Sequence, residues 1–372
     1  MAIAGGRLTI NLGALAANWQ KLNSLSAPGR ASAVVKANAY GLGADVVVPA
    51  LLNAGCETFF VAQAHEGAEV RMLAPDARIF VIYGAPRGSE TTLLEHRLIP
   101  LICSSGQLER WGQLIRSVGR PLPYGLHIDT GMNRTGLTMA EARLVGTHVD
   151  VLKASGLCHI MTHPACADDV NHPINLQQAE QFQIISAMYS DIESSFANSA
   201  AVLTRRNHRA NLSRPGIAIY GGDAVNNLVN PMKVVVTCEA RIIQIRYAKA
   251  GETVSYGTTQ TLDRDTKIAV CAIGYADGYH RAGGNGVSLR AAAKPTGFGF
   301  VAGHKIPILG RVTMDFTMFD VTEVADAVLD THEWVELFGP NIALDEAAGA
   351  AGTIGYEFLT GLGSRYHRVI VN

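Results

Sequence analysis

Charge is scarce in this sequence, and no lysine-rich or acidic runs occur. Asp, Glu, Lys and Arg together make up 17% of the 372 residues, and the formal net charge is -1. A near-neutral chain without basic runs does not favour a nucleic-acid groove or an anionic membrane surface as a partner. Hydrophobic residues make up 48% of the chain, which favours a well-filled core and argues against disorder.

Cysteine pairs, long apolar runs and a signal-peptide pattern are also missing. The six cysteines stand at positions 56, 103, 158, 166, 238 and 271 without any C-x-x-C pair, which is typical of reduced thiols in a cytosolic protein. No apolar stretch reaches the roughly 18 residues that a membrane span needs. The N-terminal segment has no charged start followed by a long apolar stretch. We therefore expect a soluble cytoplasmic enzyme.

The first part of the chain alternates short apolar runs with helix-like segments. A length of 372 residues favours one large domain plus a second. The predicted strands before about Gly222 are Ser32–Lys36, Thr58–Gln63, Arg78–Gly84, Ile99–Ser104, Tyr124–Asp129, Gly156–His163, Phe196–Ser199 and Asn211–Tyr220. The predicted helices between them include Ala44–Ala54, Gln107–Val118 and Asn175–Ile192. About eight such units in roughly 220 residues indicate an α/β fold, a (β/α)8 TIM-like barrel. An open doubly wound sheet is the competitor, but no G-x-G-x-x-G follows the first strand.

The pattern changes after Pro231 to alternating runs separated by glycine-rich turns. The predicted strands are Lys233–Tyr247, Lys267–Ile273, Lys305–Leu309, Trp334–Phe338 and Arg368–Val371, with one helix-like segment near Leu344–Ala350. This pattern predicts a mostly-β C-terminal domain. We place the barrel at residues 8–230 and the β domain at 231–372, together with residues 1–7.

One lysine stands where a buried strand gives way to a turn. Val34 and Val35 precede Lys36, and Gly41 and Gly43 allow the chain to fold back. Burial disfavours the ammonium form, so such an amine becomes a usable nucleophile. Amines of this kind form Schiff bases with carbonyl compounds, pyridoxal phosphate (PLP) among them. The alternative is an ordinary lysine whose head group reaches solvent from a strand end.

Other polar residues fall at the carboxyl ends of the predicted strands, where barrel enzymes carry their functional groups. They are Lys36, Asp129, Arg134, His163, Ser199 and Arg214. A phosphate site needs backbone N–H groups and hydroxyls, and Asn198-Ser199 and Gly216-Ile217 offer both. Taken singly, such pairs are most often turns.

A zinc site is one interpretation of His159 and His163, which are four residues apart, with Asp168, Asp169 and His172 nearby. The sequence has no H-E-x-x-H, and Pro164 argues against a helix shared by the two histidines. We therefore predict no metal.

Seven segments carry a family resemblance. Residues 33–43, AVVKANAYGLG, closely resemble the PLP-lysine segment of the alanine racemase family. The others follow in the expected order and are 161–168, 214–221, 253–257, 273–278, 310–315 and 353–357. The chain is thus similar to this PLP-dependent, fold-type III family throughout. The resemblance implies interconversion of L-alanine and D-alanine, D-alanine supply for peptidoglycan, and a head-to-tail homodimer whose sites combine one barrel with the partner's β domain.

The resemblance also implies roles for individual residues. The catalytic residues are Lys36, the Schiff-base lysine, and Tyr256, the second base, with His163 and Arg214 in support. The further cofactor-binding residues are Tyr40, Arg134, Asn198, Ser199, Gly216, Ile217 and Tyr356. The substrate-binding residues are Arg134, Met314, Tyr275 and Asp315, and the entrance residues are Asp168, Arg281 and Arg311.

An arginine facing the pyridine nitrogen of the cofactor has a clear chemical consequence. A guanidinium does not give up its proton in practice, so Arg214 would donate a hydrogen bond without protonating the ring. An unprotonated ring is a weaker electron sink, which disfavours side reactions such as transamination. An aspartate in that place would do the opposite.

The sequence departs from the family pattern at a few positions. Asn11 replaces a common aspartate, and Pro164 and Pro215 replace commoner hydrophobic residues. His127 stands where many members have a lysine that becomes carbamylated and orients the arginine matched by Arg134. An imidazole forms no stable carbamate, so we expect a different acceptor for Arg134: a small anion such as chloride, an amide or a carboxylate.

Two other functions are compatible with parts of this pattern. A fold-related PLP-dependent decarboxylase of basic amino acids uses a catalytic cysteine and an acidic partner for the ring nitrogen, which Arg214 and Tyr256 argue against. A PLP carrier or homeostasis protein resembles the barrel alone, so the matching motifs in residues 231–372 argue against it.

Overall fold

The computed structural model describes residues 4–204, 210–284 and 297–372. Among these residues, the chain divides into two compact units. One is formed by Leu15–Ile219 and Asp223–Met232. The other is formed by Met1–Ala14, Tyr220–Gly222 and Lys233–Asn372.

The first unit contains a parallel barrel. Its strands, in spatial order, are Arg30–Ala31, Leu212–Arg214, Glu193–Asn198, Leu157–Met161, Tyr124–His127, Ile99–Ile102, Arg78–Val81, Thr58–Val61 and Ala33–Val34. The first and last of these are one stretch of chain interrupted at Ser32. The Ser32 N–H donates to Ser213 O at 2.9 Å, and the Val35 N–H donates to Phe60 O at 2.9 Å. Residues 30–35 therefore pair with both neighbours and close the barrel, which confirms the predicted (β/α)8 fold.

Helices connect the barrel strands. In this half of the chain they are Leu12–Leu25, Lys36–Tyr40, Ala44–Asn53, Ala64–Leu73, Glu90–Glu95, Ser105–Val118, Met139–Gly146, Val149–Ser155, Ile174–Ala187 and Ser199–Leu203, followed by the 3-10 helix Ile217–Tyr220. Every residue of the strands Thr58–Val61, Ile99–Ile102 and Tyr124–His127 is buried. Burial on both faces is typical of parallel strands covered by helices.

Two predicted elements end well before their predicted last residues. The helix predicted to reach Ile192 ends at Ala187. The strand predicted for Asn211–Tyr220 stops at Arg214 and gives way to the 3-10 helix Ile217–Tyr220. The reason is Pro215, which has no N–H for the ladder, although its carbonyl still accepts from the Val34 N–H at 3.0 Å.

The second unit is mostly β, as predicted. Its main sheet has the strand order Thr266–Cys271, Thr317–Asp320, His304–Leu309, Phe298–Val301, Trp334–Phe338, Val236–Ala248, Gly6–Asn11 and Tyr366–Val371. Thr266–Cys271 also pairs with Val236–Ala248, which closes the strands between these two into a ring and leaves Gly6–Asn11 and Tyr366–Val371 as an extension of it. A two-stranded ribbon joins Thr253–Val254 to Gln260–Thr261.

Short helices complete this unit, and a compact apolar cluster lies in its core. The helices are Asp326–Leu329, Leu344–Ala350 and Gly355–Thr360, with 3-10 turns at Tyr256–Thr258, Tyr275–Asp277 and Arg281–Gly283. The cluster comprises Val254, Leu262, Ile268, Leu309 and Met318. Among the described residues, no helix combines the length and the apolar character that crossing a membrane requires.

Candidate active site

The barrel brings most of the predicted site residues to one end. Each lies at, or within two residues of, the carboxyl end of a strand: Lys36, Asp129, His163, Ser199 and Arg214. Carboxyl ends of parallel barrel strands share one face, so the structure gathers residues that are far apart in sequence. The same face carries Arg134, which lies on the loop that begins directly after Asp129.

The turn after Lys36 is left-handed. Ala37, Asn38, Ala39 and Tyr40 all have φ between 52° and 55°. This conformation costs about 1–2 kcal/mol for each residue with a side chain. The Gly41 N–H donates to Ala37 O at 2.8 Å, and the Asn38 side-chain oxygen accepts from the Ala44 N–H at 2.7 Å. The reversal therefore starts directly after the lysine, earlier than the glycines that predicted it.

A hydroxyl and backbone amides form a candidate phosphate cradle beside this turn. The Gly216 N–H donates to Ser199 Oγ at 2.8 Å, and the Ala218 N–H lies 3.4 Å from the same oxygen. A Cβ on Gly216 would lie 2.2 Å from the Tyr40 hydroxyl, so any other residue here would have to displace the Tyr40 side chain. Ile217 opens the adjoining 3-10 helix. Hydroxyls and helix-terminal amides are the donors that a phosphate needs.

Asn198 has a different contact from the one that its predicted role suggests. Its side-chain oxygen accepts from the Ala201 N–H at 3.0 Å and caps the helix Ser199–Leu203. Its amide nitrogen is the group left to face a ligand. The structure thus shows a capping contact at this position, and the cofactor-binding role stays a prediction.

Arg214 is a buried cation held by neutral acceptors. Its guanidinium donates to Ser195 Oγ, to Thr162 O at 2.5 Å and to Phe196 O at 3.1 Å. Only 4% of the residue is exposed. Burial and the nearby charge of Arg134 lower the pKa of Arg214 to about 9, so the group remains charged at neutral pH. Multiple acceptors fix the plane of the guanidinium, as an arginine facing a ring nitrogen requires.

His163 contacts Arg214 and is neutral. Its Nδ1 lies 3.4 Å from Arg214 Nη2. Burial, followed by the charges of Arg214 and Arg134, holds the pKa of His163 well below its usual range. Because the arginine nitrogen can only donate, Nδ1 acts as the acceptor and the ring proton resides on Nε2. His163 can therefore donate a hydrogen bond from Nε2.

The charges around Lys36 fit an anionic cofactor. Burial is the main cause that lowers the pKa of Lys36; Arg134 lowers it further, and Glu66 opposes the shift. Lys36, Arg134 and Arg214 thus bring cations together beside a hydroxyl-and-amide cradle. PLP carries a phosphate, a phenolic oxygen and an aldehyde, and the residues present match all three: amide and hydroxyl donors, cations and a lysine amine.

His127 is the last residue of the strand Tyr124–His127, and Arg134 lies on the loop that follows. Asp129 organises this loop, because its carboxylate accepts from the Gly131 N–H and the Met132 N–H, both at 2.8 Å, and from the Arg134 N–H at 3.2 Å. Burial, with the charges of Arg214 and Arg134, lowers the pKa of His127 to about 4. A neutral imidazole brings no negative charge to Arg134.

Tyr256 projects from a strained turn of the second unit. Ser255 and Thr258 have φ of 66° and 45°, and Gly257 between them has φ of 76°. The Ser255 hydroxyl donates to Arg311 O at 2.8 Å. The Tyr256 residue is 72% exposed in the single chain. Strain of this kind is typical of functional sites, and the turn leaves the Tyr256 side chain exposed.

Three predicted substrate residues share one corner of the second unit. The Tyr275 N–H donates to Thr313 O at 3.0 Å, and the Ala276 N–H donates to Met314 O at 3.0 Å. These bonds place Tyr275 beside the Met314-Asp315 segment. Both Tyr275 and Met314 are exposed in the single chain.

Arg365 organises this corner and was missed by the sequence reasoning. Its guanidinium donates to both carboxylate oxygens of Asp277, at 2.7 and 2.8 Å, and to Asp315 Oδ1 at 2.8 Å. Asp277 in turn accepts from the Gly274 N–H at 2.9 Å. No local sequence signal marks an arginine 88 positions from its carboxylate partner.

The remaining predicted residues are distributed over both units. Tyr356 lies in the helix Gly355–Thr360, and Arg281 opens a 3-10 turn. In the first unit, the Asp168 carboxylate accepts from the Asn226 side chain at 2.9 Å. His159, a candidate zinc ligand from the sequence, instead places its Nδ1 2.8 Å from Glu193 Oε2. Within the described ranges, no cluster of three His, Cys, Asp or Glu side chains could hold a metal ion.

Comparison with known proteins identifies the family to which this chain is similar. The family models "Alanine racemase, N-terminal domain" and "Alanine racemase, C-terminal domain" match residues 10–224 and 235–370. An alanine racemase of Rhizobium meliloti is 48% identical, over 99% of this chain and 97% of the relative. A protein of Agrobacterium fabrum named "Alanine racemase, biosynthetic" is 46% identical, over 97% and 93%.

A solved structure shows the same fold over its full length. The crystal structure of alanine racemase from Bartonella henselae with covalently bound pyridoxal phosphate superposes with a TM-score of 0.90 at 34% identity, covering 99% of this chain and 100% of that one. Both family models match, and both relatives are similar over nearly their whole length. The chain belongs to the alanine racemase family.

Proposed function

We propose that this protein interconverts L-alanine and D-alanine with PLP held at Lys36. The observation that carries the proposal is the set of Lys36, Arg214 and His163 at one barrel end, beside a hydroxyl-and-amide cradle that fits a phosphate. When bound, PLP supplies the electron sink that stabilises negative charge on the substrate Cα. The protein must then hold that cofactor and move a proton on each face of the substrate.

Proton transfer is assigned to two residues, one on each face. Inversion of a stereocentre requires that a proton be removed from one side and returned on the other. Lys36 serves one side, and its lowered pKa makes the neutral amine accessible. Tyr256 of the partner subunit serves the other. A tyrosine normally titrates near pH 10, so a hydrogen bond to its oxygen from His163 Nε2–H would help it to act as a base.

Arg214 limits the chemistry to racemisation. Its guanidinium is fixed by three acceptors and stays charged. It can donate to the pyridine nitrogen but does not transfer a proton to it. The fold-related decarboxylases need an acid in that place, so this residue favours the racemase assignment.

The remaining assignments concern binding. We assign cofactor phosphate contacts to Tyr40, Ser199, Gly216, Ile217 and Tyr356, with Asn198 nearby. Substrate contacts are assigned to Arg134, Tyr275, Met314 and Asp315, and the entrance to Asp168, Arg281 and Arg311. The name of the Agrobacterium relative supports a biosynthetic role, D-alanine supply for peptidoglycan. A cytoplasmic location, expected from the sequence, stays a prediction.

The experiment that tests this function is a stereospecific assay. L-alanine is supplied to the purified protein with and without added PLP, and D-alanine is measured with a D-amino-acid oxidase. We expect D-alanine to approach an equal mixture, with activity lost on cofactor removal and restored on its return. Carbon dioxide release from lysine or ornithine, without D-alanine formation, would instead identify a decarboxylase.

Activity is expected to require a homodimer, because Tyr256 is assigned to the partner subunit. Lys36→Ala and Tyr256→Phe subunits should each be inactive alone. After mixing and subunit exchange, about a quarter of all sites should carry both native residues, since half the dimers are mixed and each has one intact site. We expect the mixture to show about that fraction of the native activity. No recovery, with exchange verified by mass labels, would show that the sites are not shared.

Racemisation is expected to be independent of carbon dioxide, because neutral His127 cannot form a stable carbamate. The rate in degassed, bicarbonate-free buffer should match that in bicarbonate within about twofold. A high-resolution crystal structure provides the second measurement. Density for a carbamylated lysine beside Arg134 would contradict this account, whereas an anion, amide or carboxylate there would agree with it.

A further inference from the structure

The side chain of Glu66 joins two loops at the active end of the barrel. One carboxylate oxygen accepts from the Ala37 N–H at 2.7 Å. The other accepts from the Ala62 N–H at 2.8 Å and the Gln63 N–H at 2.9 Å. Glu66 is the third residue of the helix Ala64–Leu73, so its second oxygen makes an ordinary helix-capping contact. The bond to Ala37 is the additional one.

Ala37 is the first residue of the left-handed turn that follows Lys36. The four consecutive left-handed residues 37–40 cost several kcal/mol relative to ordinary backbone. Such conformations persist only where surrounding contacts over-determine them. Within the turn, the Ala39 N–H donates to Val35 O at 2.9 Å. The Glu66 carboxylate supplies the external anchor at the residue directly after the lysine.

We propose that Glu66 is a positioning residue for Lys36: its carboxylate anchors the Ala37 N–H and thereby fixes the left-handed turn that aims the lysine amine into the cofactor site. The inference rests on the proposed function, in which Lys36 holds PLP. Hydrogen bonds to a charged acceptor are stronger than neutral ones, so this contact is suited to hold a strained turn.

The charge of Glu66 has a separate effect on Lys36, opposite to that of burial and Arg134. Burial and Arg134 lower the pKa of Lys36, and Glu66 raises it. The Glu66 carboxylate therefore partly offsets the destabilisation of the protonated Lys36 amine. Arg134 and Arg214 add positive charge to the same end of the barrel, so a single negative charge nearby has a larger effect.

The test compares Glu66→Gln with Glu69→Gln. Glu69 lies on the same helix and is exposed, so its replacement removes equal charge without touching the turn. A glutamine at position 66 retains only one acceptor oxygen. Its NH2 group cannot accept a hydrogen bond from the backbone N–H groups that the second carboxylate oxygen serves. We expect PLP affinity of the apoprotein, measured by fluorescence quenching, to fall at least tenfold, about 1.4 kcal/mol, with a shift of the cofactor absorption band. Glu69→Gln should match the native protein in both readouts.

Helix capping alone would give a different result. In that case Glu66→Gln would lower the melting temperature of the apoprotein but leave PLP affinity and the absorption band unchanged, which would overturn the proposal. A rescue variant distinguishes the effect of Glu66 on the turn from the effect of its charge. Glycine at position 37 adopts positive φ without strain, so Ala37→Gly added to Glu66→Gln should recover most of the lost affinity. Absence of recovery would also overturn the proposal.

Failure of the inference can be told apart from failure of the proposed function. If the native protein binds PLP on Lys36 and racemises alanine, while Glu66→Gln behaves as native, only the role of Glu66 is wrong. If the native protein does not bind PLP, the proposed function itself is wrong.

Discussion

Lys36→Ala is expected to abolish covalent attachment of PLP and to reduce racemisation by roughly 1,000-fold or more, because one residue supplies both the covalent link and a base. The residue lies at a strand end, directly before a left-handed turn, and burial lowers the pKa of its amine. Alanine at this position retains the backbone but removes the amine. Residual PLP binding through the phosphate cradle is expected, without a link that borohydride can trap.

Borohydride reduction followed by peptide mass mapping measures this directly. In the native protein the cofactor mass should be found on the peptide that contains Lys36. Lys153→Ala is the matched control, because Lys153 pairs with Asp191 at 3.0 Å and has no assigned role in the site. Cofactor mass on any other lysine of the native protein would refute the assignment of Lys36.

Tyr256→Phe is expected to slow racemisation by roughly 100- to 10,000-fold, the usual contribution of a positioned acid or base, while PLP stays bound. The substitution removes only the hydroxyl. Because the residue is 72% exposed in the single chain, the free energy of unfolding should change by no more than about 0.5 kcal/mol. Loss of activity would thus report lost proton transfer rather than unfolding.

Hydrogen exchange at the substrate Cα in heavy water distinguishes proton transfer on one face of the substrate from proton transfer on the other. In Tyr256→Phe, exchange should persist for the enantiomer whose proton faces Lys36 and fall sharply for the other. Tyr247→Phe is a matched control, since Tyr247 is 71% exposed and its hydroxyl lies 3.1 Å from Asp326. A Tyr256→Phe enzyme that exchanges both enantiomers at the native rate would show that another group is the second base.

Local patterns of apolar residues in the sequence predicted most of the fold. Short, wholly apolar runs alternating with helical segments predicted the barrel strands, because parallel strands are buried on both faces. The same reasoning overextended the strand at Leu212–Arg214, where Pro215 ends the ladder. It also did not foresee that Ser32 interrupts the first strand, so that its two parts pair with opposite neighbours. Closure of a barrel depends on strands distant in sequence, which no local window contains.

For the site, the sequence by itself determined which side chains are available and where the strands end. Lys36, His163 and Arg214 could be proposed from strand ends and family segments alone. One missed residue did have a local signal: Glu66 stands three positions after Gln63, at the capping position of a helix. What that signal could not show is the bond to Ala37, 29 residues away.

Tertiary structure alone decided the protonation states and the contacts that fix the groups. His127 is neutral because burial and two arginines lower its pKa to about 4, and a sequence does not state how deeply a residue is buried. Arg214 is held by Ser195, 19 residues away, and Thr162, 52 residues away. Hydrophobic periodicity extends over a few residues, so it can be recognised in the sequence itself. Desolvation and hydrogen-bond geometry depend on atoms that meet only after the chain has folded.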